Sequence, residues 1–167
     1  YKFDAGFYGS INEFSKKVAY FFHASLQGTA AQPGAAAALK LVADAGCEQG
    51  LLADAQCFTV AQLGRALKIQ DNALAFDELF PAARRSLSCE VKARKPSDSL
   101  FRHAVQQLAG RGIRAENVLH VGSRLARDIA PAKKVGMRTA LYVGDKAALE
   151  ATADALKDPA QRPDAMV

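Results

Sequence analysis

Two hydrophobic rhythms divide this chain. Ser10-Ile-Asn-Glu13 forms a capping box, and Ile11, Phe14, Val18, Phe21, Phe22, Ser25 and Leu26 follow at helical spacing. That pattern predicts one amphipathic helix, with Gly28 suited to its end and Phe14, Phe21 and Phe22 forming a packing stripe. From Pro33 onward short apolar runs alternate with helical patterns. An alanine-rich helix is expected from Ala35 to Ala45, stopping at Gly46. Gln49 to Asp54 reads as a strand leading into a loop. Thr59-Val-Ala-Gln62 looks like a second capping box, opening a helix through Leu67. Asp71 then caps a short helix carrying Leu74, Leu79 and Phe80 and ending at Pro81. Ser86 to Val91 reads as a strand. Ser97 caps a helix that buries Leu100, Phe101, Ala104, Val105 and Leu108. Val118 to Val121 is a run of the kind that forms a buried parallel strand, and Gly122 lets the chain turn. A helix from Asp128 to Val135, a strand from Arg138 to Val143, a helix from Asp145 through Leu156 and a strand from Asp164 to Val167 complete the series.

Strand–helix alternation from residue 33 argues for an α/β fold with a parallel sheet covered on both faces. Residues 1–32 break that alternation and read as an attached helical segment. Ligands of open α/β sheets gather at the carboxyl ends of the strands, so Ser123 and Asp128 stand where chemistry is expected. The 167 residues suit one domain with a small appendage, and no apolar run approaches the roughly 20 residues that span a bilayer. Cys47, Cys57 and Cys89 are an odd number without metal-type spacing, which fits reduced thiols and a cytoplasmic location. The net charge of +5 concentrates in Arg84-Arg85, Lys92 to Lys95, Arg111 to Arg114, Arg124 to Arg127 and Lys133-Lys134. Aromatics are not interleaved with these groups and no nucleic-acid motif appears. A solvated basic surface that attracts small anions is therefore favoured over a nucleic-acid interface.

Ser88-Cys-Glu-Val-Lys-Ala-Arg-Lys-Pro96 and the stretch from Val118 to Thr139 together resemble the haloacid dehalogenase (HAD) superfamily of hydrolases and phosphatases. Its pattern is a lysine-proline after a strand, a helix, and then a hydrophobic strand ending in Val-Gly-Asp, with a second aspartate five positions on. Here the matching residues are Lys95-Pro96, Val121-Gly122-Ser123 and Asp128. The resemblance implies a Rossmann-like, three-layer HAD-type core over residues 33–167, with residues 1–32 as the end of a helical cap. It also implies hydrolysis of a small phosphate ester through an aspartyl intermediate. Lys95 would be the catalytic charge clamp, and Ala53, Asp54, Gly122 and Ser123 would line the substrate anion. Asp128 would be the acid facing Mg²⁺, a cofactor weakened by Ser123 standing in place of an acid.

Three departures qualify that expectation. No Asp-x-Asp-Gly-Thr nucleophile motif occurs; Phe3-Asp-Ala-Gly6 is only superficially similar and lacks a preceding apolar strand. Ala53 takes the place of a hydroxyl residue, and Ser123 the place of an acid. A serine does stand there in the metal-free dehalogenase branch, but Leu125 and Phe101 depart from that branch's asparagine and tyrosine. The superfamily's first strand lies centrally, between the strands ending at Ala53 and Val121. Its absence from this sequence leads us to expect that those two strands are unpaired, that an upstream segment is missing, and that the chain as written is inactive. The alternative function is a degenerate HAD-like domain that binds a ligand or protein partner.

Other residues have plain readings. Without the family context Lys95 is an exposed loop lysine and Asp128 a helix N-cap. His120 reads as a satisfied core histidine. His23 and His103 carry no motif, and Arg124 and Arg127 either draw anions toward the loop or are simply solvated.

Overall fold

The computed structural model describes residues 3–26 and 30–167. Its helices are α1 (Ala5–Tyr8), α2 (Ile11–Leu26), α3 (Ala35–Asp44), α4 (Thr59–Gln70), α5 (Phe76–Leu79), α6 (Ser88–Val91), α7 (Asp98–Ala109), α8 (Ala130–Lys134) and α9 (Ala153–Lys157). The strands are β1 (Leu51–Ala53), β2 (Arg85–Leu87), β3 (Leu119–Gly122), β4 (Arg138–Leu141) and β5 (Ala165–Met166). The chain forms two compact units: one runs to Gln49 and resumes over Ala55–Leu79, and the other comprises Gly50–Asp54 and Phe80–Val167.

In the first unit the Ser10 box closes as expected. The Glu13 N–H donates to Ser10 Oγ at 3.2 Å, and the Ser10 N–H donates to Glu13 Oε2 at 3.3 Å. Gly28, the expected helix end, lies outside the described residues. The stripe expectation is corrected: Phe21 and Phe22 are 73% and 61% exposed. Helix α2 instead packs through Tyr20 and His23, whose rings meet Phe58 at 5.9 and 5.1 Å. These positions lie three apart on a different side of the helix from Val18 and Phe22. The second expected box does not form, because α4 begins after Phe58 and the Thr59 hydroxyl accepts the Gln56 N–H. Asp71 sits at the end of α4, where its carboxylate takes the Ala73 N–H, and the following helix is a single turn.

The second unit holds the five strands of the described residues, every pair parallel. The fold is α/β, but the strands form two sheets: β1–β2 and β3–β4–β5. Leu51, Leu52 and Ala53 pair with Arg85, Ser86 and Leu87; Leu119 through Gly122 pair with Arg138 through Leu141. Strands β1 and β3 are both edges and do not pair with each other among the described residues. One face of β3 is correspondingly open, with Leu119 57% and Val121 53% exposed.

Helix α7 underlies both sheets. Ser97 caps it, and its fully buried Leu100 and Phe101 cluster with Ala132 and Met137 and with Leu52 of β1 and Val118 ahead of β3. A second cluster joins Leu125, Ile129 and Leu141 to Leu149, Ala155 and Leu156. The fully buried hydroxyls of Ser86 in β2 and Thr139 in β4 are satisfied, as their location demands. Ser86 Oγ lies 2.9 Å from His103 Nδ1, and Thr139 Oγ1 donates to Asp164 Oδ2 at 2.8 Å.

Three element expectations are corrected here. Residues 88–91 are a helical turn, since β2 has only three partners in β1 and the chain then turns toward the site. The segment after β3 starts with a π-helical turn, Leu125–Ile129, before α8. Asp128 is therefore not a helix N-cap. The helix expected from Asp145 is short and begins after Thr152, whose hydroxyl takes the Ala155 N–H.

Candidate active site

The carboxyl ends of β1 and β3 bring most of the anticipated residues together. Asp54 follows β1, Lys95 arrives from the turn after α6, and Gly122, Ser123 and Asp128 follow β3. A π-helical turn of this kind adds one residue per turn and is frequent at functional sites. Here it returns Asp128 beneath the strand end, with its carboxylate facing Lys95.

Lys95 Nζ lies 2.6 Å from Asp128 Oδ1, and the two side chains are only 18% and 6% exposed. The other Asp128 oxygen accepts the Arg124 N–H at 3.1 Å. Lys95 is thus not an exposed loop lysine. Gly122 is required by this packing: a Cβ there would stand 2.4 Å from Asp128 Cβ. The loop is secured from its far side, where Leu125 N–H donates to Glu150 O and Glu150 N–H to Ser123 O.

Asp54 does not present a free carboxylate to a ligand. Its Oδ1 accepts the Lys95 backbone N–H at 2.9 Å, and its Oδ2 pairs with Arg127 Nη2 at 2.7 Å. Arg127, which the sequence left between anion steering and simple solvation, is the residue that reading underrated. Its partner lies 73 positions away, beyond the reach of any local signal. Ala53 ends β1 opposite Leu87 and offers no hydroxyl.

His120 is the second surprise. Its ring meets Phe101 edge-on at 5.3 Å, but Nε2 is enclosed with no hydrogen-bond partner among the described residues. Burial lowers its pKa from 6.5 to about 4; Asp128 acts in the opposite sense, and Lys95 adds to the lowering. Asp4, the superficial nucleophile match, caps α1 by accepting the Gly6 and Phe7 N–H groups.

The residues present do not fit a resident Mg²⁺. That ion takes a near-octahedral set of oxygens, usually including one or two carboxylates. Asp128 is already held by an ammonium and a backbone N–H, and its neighbour Ser123 carries no charge. Among the described residues no three His, Cys, Asp or Glu side chains form a group able to hold a metal.

Residues 92–167 match the family model described as HAD-hydrolase-like. No curated protein matched the chain. Among solved structures, a HAD phosphatase from Thermococcus onnurineus aligns at a TM-score of 0.63 and 19% identity, covering 92% of this chain and 59% of that one. A Bacillus subtilis protein described as the HAD-hydrolase YfnB bound to magnesium aligns at a TM-score of 0.56 and 15% identity, covering 78% of this chain and 50% of its own. This chain therefore spans between half and three-fifths of the length of these two structures. The match to that family model is confined to residues 92–167, and the likeness to the two solved structures shows a HAD-like α/β fold. No described helix is long and apolar enough to cross a membrane.

Proposed function

We propose that this chain carries the anion-binding part of a HAD phosphatase site for a small phosphate ester. The observation that carries the reading is the buried Lys95–Asp128 pair, at the carboxyl end of β3 and against Gly122. In this reading Lys95 is the charge clamp, offsetting the negative charge that accumulates when a phosphoryl group is attacked. Gly122 and Ser123 line the anion, with the Ser123 hydroxyl as a donor, and Ala53 forms the opposite wall. Asp128 keeps the Lys95 ammonium in place before substrate arrives. We further propose that residues 1–32 are the end of a helical cap segment and residues 33–167 the core.

No aspartate in the sequence matches the nucleophile pattern, so the 167 residues alone hold the anion without cleaving its ester. The test is phosphate release from a panel of small phosphate esters, with and without Mg²⁺. We expect none. Magnesium-dependent release that disappears in Lys95→Ala would contradict this reading of the site.

A second reading, a degenerate HAD domain that binds a ligand or protein partner without turnover, draws on a specific observation. Two cations and two carboxylates neutralise one another at the site, which removes the net positive field that a phosphate dianion would seek. Saturable binding of phosphate esters at Lys95 would favour the first reading, and its absence the second.

A further inference from the structure

We propose that Asp54 and Arg127 are positioning residues that fix Lys95 by gripping its peptide backbone, an assignment that rests on reading Lys95 as the site's charge clamp. The Lys95 N–H donates to Asp54 Oδ1 at 2.9 Å. Arg127 Nη2 donates to Asp54 Oδ2 at 2.7 Å and lies 3.5 Å from the Lys95 carbonyl oxygen. The carboxylate thus takes the amide side of Lys95, while the guanidinium braces that carboxylate and faces the carbonyl side. Arg127 also immediately precedes Asp128 in the π-helical turn, so one short segment carries both the brace and the partner of Lys95 Nζ.

The location explains why such a clamp is needed. Asp54 leaves the end of β1 and Arg127 follows β3, and these two strands share no ladder. Among the described residues no backbone ladder joins the two loops, and the Asp54–Arg127 pair is a side-chain tie across the gap. Arginine suits the task because its planar fork presents several donors in fixed directions, which a lysine cannot do from the same position. The pair is partly shielded, with 34% and 22% of the two side chains exposed, so solvent and salt screen it less than a surface contact. Asp54 is consequently assigned to holding Lys95, and not to contact with the substrate anion.

The experiment is lysine-resolved acetylation of the 167-residue chain, with N-hydroxysuccinimidyl acetate as the probe and peptide mass spectrometry as the readout. In the native chain Lys95 should react slowly, because its amine is enclosed and paired, while Lys134, 68% exposed, serves as internal reference. Arg127→Met should raise the Lys95 rate several-fold with Lys134 unchanged. Asp54→Asn, which keeps an acceptor for the Lys95 N–H but loses the charge, should give a smaller rise. Arg127→Lys should fall between the native chain and Arg127→Met. An unchanged Lys95 rate in Arg127→Met with circular dichroism intact would overturn the proposal. So would a rise shared by every lysine, which would indicate general loosening. Because acetylation needs no phosphate binding, release of Lys95 in a chain that binds no phosphate would sink the proposed function and leave the clamp standing.

Discussion

Replacing Lys95 by methionine isolates the contact on which the site depends. The change removes the ammonium 2.6 Å from Asp128 Oδ1 and leaves a carboxylate with a 6% exposed side chain, held among the described residues by the Arg124 N–H. Coulomb's law at that separation, with an effective dielectric constant of about 20, gives roughly 6 kcal/mol of attraction. Most of this offsets the cost of taking both charges out of water, so the pair itself adds little net stability. What the single substitution reads is the orphaned charge, and we expect a loss of about 3–5 kcal/mol. Asp128→Asn retains an acceptor for the Arg124 N–H, and its orphaned lysine can shift its head toward solvent. Its loss should be smaller, about 1–3 kcal/mol. With both changes no charge is stranded, so the double variant should fall short of the summed losses by about 2–3 kcal/mol. Urea denaturation at neutral pH, followed by far-ultraviolet circular dichroism, measures all four corners of the cycle. Additivity within about 0.5 kcal/mol would mean that the two groups do not interact, and the geometry proposed for the site would be refuted.

Gly122→Ala should destabilise the chain by about 1–3 kcal/mol and shift the Asp128 resonances, because the new methyl collides with Asp128 Cβ; unchanged stability and spectra would contradict the packing described. His120 should titrate near pH 4 by NMR. Its folded pKa lies below the unfolded value of 6.5, so the unfolded chain binds the proton first. The His120 contribution is then complete above about pH 6.5 and is lost as pH falls toward 4, by at most about 3 kcal/mol, whereas His120→Leu should flatten that window. The Thr139 hydroxyl, and next the Thr139 N–H, hold the Asp164 carboxyl below the usual range. Thr139→Val should raise the Asp164 pKa, observable from its carboxyl carbon shift, and cost about 1 kcal/mol. Stability from this contact is present above the usual carboxylate range and declines as pH drops through the lowered value.

Much of the second unit was legible because each signal there was local. The 3.6-residue rhythm of Leu100, Phe101, Ala104 and Val105 placed the buried face of α7, and the Val118 to Val121 run placed β3. The Lys95-Pro96 and Gly122-to-Asp128 spacings, through the resemblance they carry, pointed to Lys95 and Asp128, whose side chains pair. What the residues could not disclose was pairing over long distances. Nothing near Arg127 points to Asp54, and nothing near Asp128 reveals that a π-helical turn, not an N-cap, would carry it. The packing stripe on α2 failed for a related reason: helical spacing identifies an apolar face without saying which side meets a neighbour, and Tyr20 and His23 provide the ring contacts with Phe58. His120 was rightly placed inside the strand, but the lack of a partner for its Nε2 depends on what surrounds the ring in three dimensions.

The central claim is that an anion binds beside Lys95 at the carboxyl end of β3. Its most direct test is a titration of the isotopically labelled chain with inorganic phosphate, following backbone amides by NMR. The account predicts saturable shifts concentrated at Lys95, Gly122, Ser123 and Arg124 that vanish in Lys95→Ala and persist in Lys134→Ala. Shifts confined to exposed lysines such as Lys134, or a response at the site that survives Lys95→Ala, would contradict it.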